Sequence, residues 1–194
     1  MLLSAVIGVA VASAAALAPR WLDEAVMRVT DIFMAIPGLV MALGITAVLG
    51  PSLWSIVIAM TVVTWPATTR ITRNVLRETM TSTYMEAGHV MGISKPRLML
   101  RHALPNSLDA VYVFASMEFS GAIIMMSGLA FLGVGAPPPS ADWGSMVAAG
   151  QESITTGWWV ALFPGLAITV SAAAFSLLGD GLRRINDPSF RATL

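Results

Sequence analysis

The chain has 194 residues, 56% of them hydrophobic and only 11% charged, with a mean hydropathy of +0.76. A soluble domain carries about 25% charged residues, so this composition belongs in a bilayer. Eleven Lys and Arg balance eleven Asp and Glu, which excludes nucleic-acid binding by bulk charge, and the absence of cysteine excludes a disulfide framework or a thiolate metal site.

In chain order, five apolar stretches are long enough to cross about 30 Å of hydrocarbon at roughly 1.5 Å per residue: 1–18, 30–49, 53–69, 107–133 and 158–179. A spanning helix satisfies its own backbone hydrogen bonds, and none of these stretches shows the period-two alternation of a membrane barrel. The expected fold is therefore an all-α, polytopic transmembrane helical bundle.

The eleven basic residues fall into three groups: Arg20 and Arg28; Arg70, Arg73, Arg77, Lys95, Arg97 and Arg101; and Arg183, Arg184 and Arg191. Two expected spans separate each group from the next. The turn Gly50-Pro51-Ser52 and the external loop 134–157 hold no Lys or Arg, so the positive-inside rule puts every basic group, and with them the C-terminus, in the cytoplasm. Trp54, Trp143, Trp158 and Trp159 lie near the opposite ends as interface anchors. This parity starts the first span outside, so a further span is expected before Met1. Ala16-Leu17-Ala18 has the A-x-A form of a signal-peptide cleavage site. Against that reading, the segment lacks a charged n-region, Pro19 follows it, and its export would carry Arg70 to Arg101 outside.

The only long polar passage, 78–105, reads as two short helices joined by a turn. Gly92 is suited to the left-handed conformation that stops a helix; Ser94 then caps the next, with Lys95-Pro96 in its first turn and Leu104-Pro105-Asn106 at its end. Leu98, Leu100 and Leu104, with Arg97 and Arg101 between them, form an amphipathic face. In the bland reading this is a helix-turn-helix connector whose Gly and Pro only punctuate.

The run Glu86-Ala87-Gly88-His89-Val90-Met91-Gly92, continuing to Leu104-Pro105, resembles the cytoplasmic coupling loop of ATP-binding-cassette importer permeases, with Gly88 where that pattern has a second Ala. Arg101-His102-Ala103-Leu104-Pro105-Asn106 is similar to the form in the dipeptide, oligopeptide and nickel branch. Ala35-Ile36-Pro37-Gly38, Gly50-Pro51-Ser52-Leu53-Trp54, Leu129-Ala130-Phe131-Leu132-Gly133-Val134-Gly135, Trp143-Gly144, Ala161-Leu162-Phe163-Pro164-Gly165 and Leu178-Gly179-Asp180-Gly181-Leu182-Arg183 extend the likeness over nearly the whole chain. Their order resembles the second permease subunit of that branch, which has six spans. The resemblance implies a single permease domain over 1–194 in the bacterial inner membrane, paired with a homologous permease, two ATPase subunits and an external solute-binding protein. It also implies a small solute, most often a di- or oligopeptide. Glu86, Ala87, Gly88, Gly92, Leu104 and Pro105 would then form the knob that seats in the ATPase.

The chain lacks the G-x-x-x-x-G-K-[ST] phosphate loop, so the energy source would be a partner, and no cofactor is implied. His89 and His102 have no metal-ligand spacing, and no Ser/His pair meets within a span, so neither a metal site nor catalysis is expected. Glu118 lies near the middle of its span, where an ionised carboxylate costs a few kcal/mol. With Gly121, Met125 and Gly128 it shares one helix face, which either lines a pathway or serves helix pairing. The external loop Pro137-Pro138-Pro139-Ser140 with Asp142-Trp143-Gly144 is stiff, with a short helix expected over 145–153, and either faces a binding protein or seals the bundle. The rivals are an ion-coupled secondary transporter, which needs paired intramembrane acids or broken helices, an intramembrane enzyme, and a truncated permease fragment that does not assemble.

Overall fold

The structure is a computed structural model that describes residues 1–137 and 139–186. Arg191 and Pro138 of the sequence reading lie outside those residues. The described residues form helices α1 (Leu2–Leu17), α2 (Arg20–Ala35), α3 (Gly38–Leu49), α4 (Leu53–Met80), α5 (Thr83–Val90), α6 (Lys95–Leu98), α7 (Leu104–Phe131), α8 (Trp143–Gly150) and α9 (Trp159–Asn186), with a π-helical turn at Met99–Ala103 and a 3-10 turn at Gln151–Ser153. Two continuous helical stretches, Lys95–Phe131 and Trp159–Arg184, are long and apolar enough to cross a membrane; α2 and α3 together make a third if the bent pair is one span.

Two expectations about continuity change. The stretch 30–49 is not one helix: it is interrupted at Ile36-Pro37, because proline has no N–H to donate and drives the residue before it out of the helical region. The second loop helix does not end at Leu104-Pro105-Asn106. Helix runs on from Lys95 through Phe131, and the π turn just before Pro105, where the Leu104 N–H reaches back to the Met99 carbonyl, accommodates the proline. Pro66 likewise lies inside α4 without ending it.

The chain divides into two compact units. One comprises Met1, 36–63 and 116–181. Its core is Ala42, Ala59 and Leu129, with Leu43, Ile45, Val63 and Val134 packed on them, and a second cluster of Ile56, Met60 and Ala122 beside Met125. Gly133, with φ +81, ends α7, the Val134 N–H reaching the Leu129 carbonyl and the Gly133 N–H the Ala130 carbonyl. Asp142 caps α8 by accepting from the N–H groups of Gly144 and Ser145.

Of the described residues, the other unit comprises 2–35, 64–115 and 182–186. Buried Ser4, Gly8, Ala12 and Ala15 run along one face of α1. A Cβ on Gly8 would come within 2.7 Å of Thr68 Cβ, so the glycine lets α1 cross α4 at close range. Further on, Ala12 and Ala16 of α1 meet Leu76 and Met80 of α4, and Met85, Leu98, Met99, Ala103 and Leu104 complete the same cluster. The polar passage is thus seated on the core of its unit.

Candidate functional site: the 78–105 loop

Helix α5 turns Met85 and Gly88 inward and leaves Glu86, Ala87 and His89 exposed. It ends as the sequence implies: Gly92 has φ +81, the Ile93 N–H reaches the Gly88 carbonyl, and the Gly92 N–H reaches that of His89. Ser94 stands at the N-cap position of α6, although its side chain makes no capping bond, and Pro96 follows in the first turn. The tip between the helices presents Val90, 89% exposed, and Met91, 74% exposed.

Gly88 explains its own presence in the motif. A Cβ there would lie 2.7 Å from Leu98 Cδ2, so α5 and α6 pack edge to edge at this point. Of the six residues singled out, Gly88 is buried and Leu104 half-buried in the shared cluster, whereas Glu86, Ala87, Gly92 and Pro105 are on the surface. The expected amphipathic element lies against the core through Leu98, Met99, Ala103 and Leu104, but Leu100 is exposed, because residues two apart fall on nearly opposite sides of a helix of about 3.6 residues per turn. Asn106 Nδ2 donates to the Tyr84 hydroxyl, tying the start of α7 to α5.

A cleft of about 440 Å³ opens beside this helix pair, with Arg77, Glu86, His89 and Lys95 among its walls and Met85 and Leu98 at its base. Arg77 leads to a feature that sequence reasoning missed. Asp23 of α2 is almost wholly buried, its side chain 3% exposed; Arg73 donates through Nε and Nη2 at 2.5 Å, and Arg77 donates to the same carboxylate. The Arg73 hydrogen bond holds the Asp23 carboxyl below the ordinary carboxylate range; burial opposes it, and the charges of Arg73 and Arg77 add to it. Asp31 pairs with Arg70, so α2 and α4 are tied at two levels and run in opposite directions there. The available signal was the Arg73/Arg77 pair, four apart on one helix face, which needs an acid if it is to be buried.

The second candidate face lies in the other unit and is uneven. A Cβ on Gly121 would meet nothing within 4 Å, Met125 packs beside Ile56, Met60 and Ala122, and a Cβ on Gly128 would lie 4.0 Å from Leu39 Cδ1. Glu118 is half-buried, and among the described residues its carboxylate makes no hydrogen bond or ion pair. Gly144, at the start of α8, lies against the Ser127 backbone with no room for a side chain.

Two helical stretches long and apolar enough to cross a bilayer, one of them continuous with a helix pair that projects an apolar tip, fit a membrane-embedded chain. The family described as "Binding-protein-dependent transport system inner membrane component" matches residues 5–192, and the chain belongs to it. A Brucella suis protein provisionally named a peptide transport system permease protein is 45% identical over 192 residues, covering 97% of this chain and 64% of its own length. The Di/tripeptide transport system permease protein DppC of Pseudomonas aeruginosa is 37% identical over 191 residues, 98% of this chain and 63% of that one. A protein of Escherichia coli provisionally named the D,D-dipeptide transport system permease protein DdpC is 40% identical over 166 residues, 86% and 56% respectively. The chain therefore spans less than two thirds of the length of these relatives.

Proposed function

We propose that this chain is a permease subunit of an ATP-binding-cassette importer, and that the passage 78–105 is its cytoplasmic coupling loop. The observation that carries this reading is the exposed tip Val90-Met91 on a helix pair locked from behind by Met85, Gly88 and Leu98. A loop that only connected two spans would have no reason to project two large apolar side chains into water from a rigid seat. In the importer, the tip sits in a groove of an ATPase subunit, Glu86 makes a charged contact at its rim, and closure of the nucleotide-bound ATPase pair moves α5 and α6 as one body. Pro105 and the π turn mark where the loop passes into the spanning helix.

The partners are a homologous permease, two ATPase subunits and an external solute-binding protein, with the loop and C-terminus on the cytoplasmic side. Energy comes from the ATPases, and this chain does no covalent chemistry. The solute is a di- or oligopeptide, in line with the names of the three relatives. Exposed apolar residues of α9 such as Leu166, Val170 and Leu177 suit lipid or the homologous permease. Glu118, with Gly121 beside it, faces the solute route, where an amine-bearing peptide would offer the carboxylate its counter-charge.

The test is purification of the tagged chain from membranes as wild type, Glu86→Ala and Gly92→Pro, with identification of bound proteins and an ATPase assay. An ATPase subunit accompanies the wild type, and the substitutions lose it or uncouple its hydrolysis from uptake. If no ATPase is recovered and the loop changes are silent, the coupling role fails and a secondary transporter becomes the better reading.

A further inference from the structure

The ion cluster at Asp23 is more than a surface tie. Asp23 Oδ1 accepts from Arg73 Nε and Oδ2 from Arg73 Nη2 and Arg77 Nη2, in a place where the Asp23 side chain is 3% and the Arg73 side chain 13% exposed. A buried ion pair is a poor stabiliser compared with apolar residues of the same volume, because desolvation offsets most of its attraction; what it does well is fix one geometry. Here the fixed element is the end of α4. Between and beyond the two arginines lie Leu76 and Met80, which with Ala12 and Ala16 of α1 form the seat for Met85 and Leu98. Arg77 belongs both to the ion cluster and to the cleft beside Glu86.

We infer that Asp23 is a positioning residue for ATP coupling: by clamping Arg73 and Arg77 it fixes the end of α4, and through Leu76 and Met80 it sets the pitch at which α5 meets a partner. This rests on the coupling reading of the loop. The clamp makes the loop follow α4 as a rigid body, so force applied at Val90-Met91 travels into α4 and α2 rather than being lost in bending at Thr81-Ser82. Asp31–Arg70, at the other level, is half-exposed on both sides and acts as an auxiliary tie.

Two measurements test it on the full chain in lipid nanodiscs and in the assembled complex. Hydrogen exchange of the amides in 83–98 reports the loop directly: Asp23→Asn and Arg77→Gln each accelerate it about tenfold while the amides of α9 are unchanged, and Asp23→Glu restores the wild-type rate. Arg77→Gln keeps the Asp23–Arg73 pair and so keeps the fold even if Asp23→Asn does not. In the complex, the same variants retain the ATPase subunit and its basal hydrolysis, but uptake per ATP hydrolysed falls about tenfold, with rescue by Asp23→Glu. Unchanged exchange in Arg77→Gln, or unchanged coupling in an assembled variant, overturns the clamp. Failure of the wild type to recover any ATPase refutes the coupling reading instead, and the exchange arm still judges whether Asp23 holds the loop.

Discussion

Single residues in this chain are legible in proportion to how local their partners are. Gly92 could be read as a helix stop because the left-handed turn it enables involves only residues 88–93; Gly92→Ala is expected to cost about 1 kcal/mol in thermal unfolding, the strain of a Cβ at positive φ. Asp23 could not be read, since its partners lie fifty residues away. Replacing it with Asn leaves Arg73 buried without its counter-charge, an expected loss of about 3 kcal/mol or more. Because folding lowers its pKa, the carboxylate's contribution is complete above its ordinary value of 3.8 and is lost as the pH falls through the lowered one. The stability gap between wild type and Asp23→Asn should therefore be constant from about pH 7 to about pH 4 and narrow below that. A gap that instead widened on acidification would show that Asp23 is not an ionised partner of Arg73.

At the scale of elements, the apolar stretches 1–18, 107–133 and 158–179 overlap α1, α7 and α9, because a long apolar run in a bilayer has few alternatives to helix, but helix enters the second from Lys95 and leaves the third as far as Asn186. Hydrophobic length did not find the break before Gly38, where Pro37 overrides an unbroken apolar run, nor the passage of helix through Pro105, which depends on a π turn that no sequence periodicity announces. The packing of α1 on α4 was hidden for a different reason: Ser4, Gly8, Ala12 and Ala15 look like ordinary small apolar-span residues until the facing threonines are known. Gly8→Leu is expected to destabilise the chain by about 1–3 kcal/mol, because the new side chain meets Thr68 and the Thr69 backbone and the helices cannot part without opening the cluster beyond. Gly44→Leu, where a Cβ meets nothing within 4 Å, is the matched control and should leave the unfolding midpoint unchanged. Equal effects of the two would mean that α1 does not cross α4 at Gly8.

For the whole molecule, the all-helical class and the transport family followed from composition and from the order of short motifs spread along the chain, and the family match over 5–192 agrees. What the motifs could not convey is that the chain forms two compact units, and that residues as distant as Ala16, Arg77 and Lys95 surround one cleft in the second of them. Such convergence comes from tertiary packing, to which a one-dimensional pattern is blind. The coupling role rests on the exposed tip of that second unit. The most direct test is site-specific cross-linking: Val90→Cys, in a chain that has no cysteine of its own, treated with a short thiol-to-amine reagent in native membranes, and the adduct identified by mass spectrometry. A coupling tip gives a single dominant adduct with an ATPase subunit, its yield changed by ATP, and none from a cysteine placed on the opposite, buried side at Met85. A tip that labels freely with water-soluble reagents yet never cross-links to an ATPase, with or without nucleotide, would contradict that role.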